Sequence, residues 1–273
     1  MDVSGILKDF LKREMTFCSP QLAEGRETGH DGLILHKHPH RELMLVMEGE
    51  SEFYLQDRKY VLSPGSAVLI DSWMPHTFGY SEQDHDLLHF WIYFYGGKAA
   101  CRFCRVGMQG HYDICGIPGM ANLPPHFYPL ISSRWNELKK QERRTQDEAA
   151  LYLLNPLRCL LEEVMIGNSR KIRQEPSHSD LVYSLKLYIE SQNARDCSLE
   201  QLEKIFGYSR FYIAHKFREN HGMTLGAYVN EVRLAFTEDA LAKGLKQKEI
   251  AYELGFSSSS AFWKWFRQNR KRA

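Results

Sequence analysis

The stretch Leu35 to Gly49, LHKHPHRELMLVMEG, sets His36, His38, His40 and Glu42 within seven residues. Imidazoles and a carboxylate suit zinc, nickel, manganese or iron, and the same groups can grip a small polar molecule through hydrogen bonds. A strand points residues i and i+2 to one face, so His36 and His38 are expected to converge. A second candidate is Cys101, Cys104, His111 and Cys115, a C-x2-C-x6-H-x3-C spacing with zinc-compatible ligands. Its second spacing fits no common zinc module, and idle thiols are the commoner fate of such cysteines. The run LLHFWIYF is a third: alternation puts His89, Trp91 and Tyr93 on one face and Leu88, Phe90, Ile92 and Phe94 on the other.

These residues need elements to hold them. From Leu33 to Phe94, short apolar runs broken by turns (LILH, ELMLVM, EFYLQ, KYVLSPG, SAVLID, LLHFWIYF) predict an all-β barrel or sandwich. HFYPLISSRWNELKK and DEAALYLLNPLRCLLEEVM then read as two amphipathic helices, with Pro156 kinking the second. Leu153, Leu157, Leu160, Leu161 and Val164 form an apolar face on that helix, for packing on the barrel or for a dimer seam. The Pro- and charge-rich GNSRKIRQEPSHS reads as a linker. The expected fold class is therefore α+β and multidomain: a barrel with two following helices over 1–166, a linker over 167–178, and an all-α module over 179–273.

Composition bounds the function. The 273 residues are 43% hydrophobic and 25% charged, as in ordinary soluble globular proteins, and can bury two cores. No apolar run is long enough to span a bilayer, and the start MDVSGILKDFLKRE lacks the features of a secretory signal, so a cytoplasmic protein without a membrane partner is expected. The six scattered cysteines agree with free thiols in a reducing compartment. From Ser179 onward 15 Lys+Arg face 11 Asp+Glu, while the rest of the chain carries a net −3, so a polyanion partner is expected for the C-terminal module alone.

That module carries the most specific pattern. In SLEQLEKIFGYSRFYIAHKFREN, Ser198 and Gln201 open a helix as a capping box, Gly207 ends it, and Ser209 caps the next, for which Phe211, Ile213 and Phe217 are candidate apolar anchors. KEIAYELGFSSSSAFWKWFRQN repeats the helix, Gly-aromatic-Ser turn and helix, its turn glycine Gly255 lying 48 residues after Gly207. A Thr224-capped helix over 225–242 joins the two units and would be ~27 Å long at ~1.5 Å per residue. Such a spacer can set two recognition helices near one turn of DNA apart, ~34 Å.

These segments resemble the DNA-binding domain of the AraC/XylS family of bacterial transcription regulators over essentially all of 180–268. Thr237 stands where the family has an alanine, and NRKRA replaces its usual closing segment. By matching positions, the resemblance places Arg210, Phe211, Ala214 and His215 on the first reading face, with Arg218 toward phosphate, and Ser259, Ser260, Trp263, Lys264 and Arg267 on the second. Such side chains can reach base edges, phosphates or thymine methyls. Phe262 and Phe266 already fill the buried stripe of the last helix, which leaves Trp263 outward, whereas Phe211 suits core and surface equally.

The N-terminal half resembles the cupin sensor domain usual in that family. His36, His38, Glu42 and Gly49 meet the H-x-H-x3-E-x6-G signature, and Pro64, Gly65 and His76 its second half. In metal-binding cupins those three histidines and the glutamate hold one divalent ion; in regulators they more often line a ligand site, so no cofactor is the primary expectation, and a divalent metal on His36, His38, Glu42 and His76 is the alternative. A sugar-responsive family member has the same His-x-Trp-x-Tyr-Phe run, which carries a ring-stacking role to Trp91, a hydroxyl-binding role to His89 and a pocket position to Phe78. The expectation is a DNA-binding activator, not an enzyme, controlled by a saccharide-like effector, forming homodimers and meeting RNA polymerase on double-stranded DNA. The competing reading, a metal-dependent cupin enzyme or isomerase with an appended helical domain, leaves the duplicated helix-turn-helix unexplained.

Overall fold

The computed structural model describes residues 2–22, 26–27, 35–77, 80, 83–95, 98–108, 112–115, 121–122, 124, 126–141, 143–171 and 178–270. The chain divides into two compact units, Met1–Glu175 and Pro176–Ala273.

The first unit opens with helix α1 (Val3–Leu11), capped by the Asp2 side chain on Gly5 N–H. Among the described residues twelve strands follow: β1 (Thr16–Cys18), β2 (Arg26–Glu27), β3 (Leu35–His36), β4 (Arg41–Glu48), β5 (Ser51–Leu55), β6 (Arg58–Leu62), β7 (Ser66–Ile70), β8 (His76–Thr77), β9 (Leu87–Tyr95), β10 (Lys98–Val106), β11 (Tyr112–Cys115) and β12 (Ala121–Asn122). Two helices complete it, α2 (Phe127–Leu138) and α3 (Gln146–Lys171). A seven-stranded sheet runs β1-β7-β4-β9-β10-β11, with β12 also on β10; a five-stranded sheet runs β2-β6-β5-β8-β3.

The seven-stranded sheet is buried on both faces. One face sends Leu43, Leu45, Phe90, Ile92, Phe94, Cys101 and Phe103 against Leu7, Phe10, Trp135, Leu153 and Leu157 of the helices. The other sends Met44, Val46, Val68 and Ile70 against Phe53, Leu55, Tyr60 and Leu62 of the second sheet, with Trp91 at the edge of that core. Double-sided burial explains why β4 reads as a continuous apolar run instead of alternating. Gly49 closes β4 at φ 80°, where a Cβ would meet Leu87 Cδ2 at 2.6 Å and the Asp86 carbonyl oxygen at 2.7 Å, so the position admits only glycine.

The apolar face of α3 is used up inside the chain. Leu153, Leu157, Leu160 and Leu161 are fully buried and Val164 is 3% exposed, all in the core shared with the barrel. The dimer-seam reading of this face is therefore overturned: the sheet's outer face needs a cover, and these side chains supply it. The helix also continues to Lys171, past the expected linker start at 167, with Pro156 inside it.

The second unit is α4 (His178–Ser191), α5 (Leu199–Phe206), α6 (Arg210–His221), α7 (Leu225–Ala242), α8 (Gln247–Glu253) and α9 (Ser259–Asn269). Ser198, Ser209, Thr224 and Ser258 each accept an N–H from the first turn that they cap. Gly207 at φ 72° ends α5 in the left-handed conformation. Ile213, Phe217 and Phe262 are fully buried and Phe266 is 2% exposed. Thr237, in the family's alanine position, is also fully buried; its hydroxyl donates to the Arg233 carbonyl at 2.7 Å, so the substitution leaves no polar atom stranded. The last helix is braced on α7 by Trp265 Nε1–H donating to Asn230 Oδ1 at 3.1 Å.

Leu157→Ala should lower the stability of the first unit by about 2–5 kcal/mol in urea denaturation, because the core cannot refill the lost volume. Leu151→Ala, at a site 77% exposed on the same helix, should change it by less than about 0.5 kcal/mol. A reversed order would contradict this packing.

Candidate functional site

Inside the barrel, β3 ends at His36 and β4 begins at Arg41, so the chain between them leaves strand geometry. His38 and His40 consequently stack, ring centroids 3.9 Å apart, with planes 9° from parallel. Glu42 lies against both: Oε2 is 3.2 Å from His38 Nε2 and Oε1 is 2.9 Å from His40 Nε2. All three residues are buried, and their ligand atoms lie within 4.8 Å of one another. The His76 ring meets His38 edge-on at 4.8 Å. Burial pushes the Glu42 carboxyl upward, but the two imidazoles outweigh it and hold the group well below the usual carboxylate range.

His36 has its Cα paired with His76 across β3 and β8; its side chain, like Phe78, lies outside the described residues. The described cluster thus joins His38, Glu42 and His76 with His40, a residue that the H-x-H-x3-E pattern skips although strand alternation puts 36, 38, 40 and 42 on one face.

The tautomers are set by backbone. His38 Nδ1 lies 2.8 Å from the His40 carbonyl oxygen and His76 Nδ1 lies 2.8 Å from that of Met74. A carbonyl only accepts, so each Nδ1 carries a proton and donates it, which leaves Nε2 as the nitrogen through which either ring could bind a metal ion. Metal-ligating histidines are oriented by such outer hydrogen bonds. With an ionised carboxylate beside them, the residues present fit a divalent ion of the zinc, nickel, manganese or iron class.

A second polar group sits on β9 and β10. The β4–β9 register pairs Glu42 with Tyr93, Met44 with Trp91 and Val46 with His89, so these six residues share the inner face. Trp91 Nε1–H donates to the Tyr80 hydroxyl oxygen at 3.2 Å, and that hydroxyl lies 3.0 Å from His89 Nδ1. The same hydroxyl also reaches Cys104, so Tyr80 links His89, Trp91 and Cys104 across β9 and β10. His89 Nε2 is buried with no hydrogen-bond partner among the described residues. Burial, opposed weakly by Asp84, lowers the His89 pKa to about 4, so the ring is neutral at pH 7. Opposite Trp91, buried Arg102 sets its guanidinium 4.9 Å above the Tyr93 ring. Sequence reading missed Tyr80 and Arg102; neither has a spacing signal, since one lies in a loop and the other in a strand read for its cysteines.

The same strand overturns a zinc site shared by Cys101 and Cys104. Cys101 pairs with Ile92 on the helix-facing side and Cys104 with His89 on the barrel-facing side, because a three-residue step along a strand changes face. His111 and the Cys115 side chain lie outside the described residues.

In the second unit the family-derived reading positions lie at the surface. Phe211 is 78% exposed and Trp263 37%, so neither belongs to the core, and the anchoring of α6 falls to Ile213 and Phe217. Arg210, His215, Arg218, Ser260, Lys264 and Arg267 are exposed and Ser259 is half-buried. A groove of about 610 Å³ beside α9 is lined by Ser259, Ser260, Trp263, Lys264, Arg267 and the glutamines flanking them. These side chains offer hydrogen bonds, positive charge and one aromatic face, and no carboxylate.

Comparison with known proteins agrees with this division. A helix-turn-helix domain model matches residues 202–272 and a cupin domain model matches residues 24–93. An uncharacterized HTH-type transcriptional regulator of Bacillus subtilis (strain 168), YbfI, is 22% identical over 237 residues, 82% of this chain and 79% of its own. The probable transcriptional regulator LumQ of Photobacterium leiognathi is 24% identical over 250 residues, 89% of this chain and 90% of its own. The crystal structure of ToxT from Vibrio cholerae O395 aligns at 14% identity over 85% of this chain and 87% of that one, with a TM-score of 0.27, too slight a likeness to carry an argument. Fold, site and relatives define a DNA-binding transcriptional regulator with a cupin-type ligand-binding domain. This pair of domains is the one that the resemblance to AraC/XylS regulators implies.

The neutral His89 generates a pH signature. Folded His89 protonates near pH 4 and the unfolded residue near 6.5, so its stabilising contribution is complete above pH 6.5 and is lost as pH falls to 4. The wild type should lose about 3 kcal/mol more than His89→Gln across that window in pH-dependent denaturation. Parallel profiles for the two proteins would show that the ring is not held neutral.

Proposed function

We propose that this regulator senses a small polar effector, a saccharide or sugar derivative, in the barrel interior, and that binding there controls its hold on operator DNA. The carrying observation is the inner face of β9: Trp91 offers a half-buried ring for stacking, and the neutral His89 beside it offers a buried Nε2. His38, Glu42 and His76 line the same interior, with His36 and Phe78 as further candidates on the family pattern. The protein acts in the cytoplasm, where its operator is; no described helix is long and apolar enough to cross a membrane. It works as a homodimer that activates by meeting RNA polymerase. The buried α3 face being spent, the surface that supports dimerisation is its outer side, where Leu151 is 77% and Ile166 42% exposed.

On this reading the reaction is binding and no bond is made or broken. Titration of purified protein with neutral sugars and sugar acids, followed by thermal unfolding, tests it: an effector at a hundredfold over its Kd adds about 2.7 kcal/mol. Trp91→Ala should abolish that response and leave DNA affinity unchanged, because the stacking platform is lost and the second unit is untouched. An unaltered dose-response would remove Trp91 from the site.

A second reading is favoured by the backbone-fixed tautomers of His38 and His76. His38, His40 and Glu42, with His76 beside them as a candidate fourth ligand, would hold a divalent ion, which when bound supplies a Lewis-acidic centre for a ligand hydroxyl or carboxylate. Elemental analysis of tag-free protein separates the two. A ligand-lining cluster yields metal-free protein in which His38→Ala or His76→Ala weakens effector binding about five- to 150-fold, the effect of losing ~1–3 kcal/mol. Near one metal per chain, surviving a mild chelator and lost in those variants, would establish the ion.

A further inference from the structure

The two helix-turn-helix units differ in how they hold their cations. Around α6, Arg210 Nη1 donates to Glu200 Oε1 at 3.3 Å, and the Arg210 backbone N–H to Glu203 Oε1 at 3.2 Å. Lys216 Nζ lies 2.8 Å from Glu219 Oε2, and His215 Nε2 lies 3.9 Å from the same oxygen. Two of the three Lys and Arg side chains of this helix thus face a carboxylate of their own unit, and Arg218 is the exception. Helix α9 carries Lys264 and Arg267, has no Asp or Glu in its sequence, and neither cation forms an ion pair or side-chain hydrogen bond among the described residues. Both line the groove described above, which contains no acidic residue.

An exposed ion pair contributes little to stability, but it matters to a polyanion: the carboxylate stays beside the phosphate when the cation turns to it. A lone Lys or Arg delivers its full charge and releases a counterion. The Arg210 guanidinium also lies 5.6 Å from the centre of the Phe211 ring. The chain Glu200–Arg210–Phe211 therefore backs an apolar ring that is 78% exposed. A ring so placed suits contact with a thymine methyl, the one apolar group in the major groove.

We propose that the two units divide the work on DNA: α9 supplies the sequence-independent grip on phosphate through Lys264 and Arg267, while α6, its cations restrained by Glu200 and Glu219, discriminates bases through Phe211. This rests on the DNA-binding reading and goes beyond it, since the two motifs by themselves predict equivalent roles. Arg210 is a positioning residue for Phe211.

The test is fluorescence anisotropy of the full chain on a random-sequence 30-bp duplex across a salt titration. Lys264→Gln and Arg267→Gln should each lower the slope of log K against log salt by about 0.9. The pair Glu200→Gln with Glu219→Gln should tighten binding and steepen the slope, by more than Glu238→Gln, a carboxylate on α7 in no ion pair among the described residues. On a duplex selected for tight binding, one thymine-to-deoxyuridine replacement should weaken the wild type several-fold and leave Phe211→Ala indifferent. Circular dichroism confirms that each variant is folded. Slope changes from Arg210→Gln and Lys216→Gln equal to those from the α9 cations, or no effect of the double glutamine variant beyond its control, would overturn the division. A wild type that binds no duplex at all would instead remove the DNA-binding reading itself.

Discussion

The register of β4 against β9 is the constraint on which the sensor unit depends. Both strands are covered on both sides, so each side chain is committed to one of two unlike environments: apolar packing under the helices, or a mixed polar interior facing the second sheet. A slip of one residue would drive Glu42, His89 and Trp91 into the hydrocarbon layer of α1 to α3 and turn Leu43, Phe90 and Ile92 toward the cavity. Every site assignment in the barrel, including the opposite facing of Cys101 and Cys104, follows from this one pairing.

The outward side of the same strand links the cluster to the helices. Arg41, between His40 and Glu42 in the chain, points away from them: its Nε donates to Asp71 Oδ1 at 2.7 Å and its Nη2 to Asn136 Oδ1 at 2.6 Å, and its guanidinium lies 5.3 Å from the Trp135 ring centre. Lys139 of the α2 C-cap closes on the other Asp71 oxygen. Burial raises the Asp71 carboxyl, but the two cations more than offset this and keep it low, so the carboxylate remains charged. A displacement at His40 or Glu42 therefore bears on α2 through a hydrogen-bonded charge network as well as through soft apolar contact.

The DNA-binding unit relies on local chemistry instead. Its helices α5, α6, α7 and α9 start at Ser and Thr caps, and several of its turns rest on glycines at positive φ, features readable over windows of a few residues. Its few long-range braces, such as Trp265 on Asn230 and Arg233 donating twice to the Ala194 carbonyl, hold the two motifs to the spacer helix between them.

This contrast decides what the sequence alone could determine. The caps that open α5, α6 and α7, the exposure of Trp263 and the alternation along β9 were all legible, because each follows from capping, periodicity or strand geometry within one segment. The H-x-H-x3-E-x6-G pattern located the polar end of the barrel, and the glycine at its close is explained by the approach of Asp86 and Leu87. What the sequence could not decide was which side chains meet across segments. Whether the leucines of α3 face a second chain or the barrel depends on what covers the sheet, and Phe211 lies outside because Ile213 and Phe217 already fill the core beneath α6. His40 stacks on His38 at 3.9 Å because the backbone leaves strand geometry between β3 and β4, and Tyr80 bridges His89 to Trp91 from a loop with no periodicity. Local propensity acts through neighbours in the chain; contacts between segments are settled by competition for the same buried space, and only the folded structure resolves it.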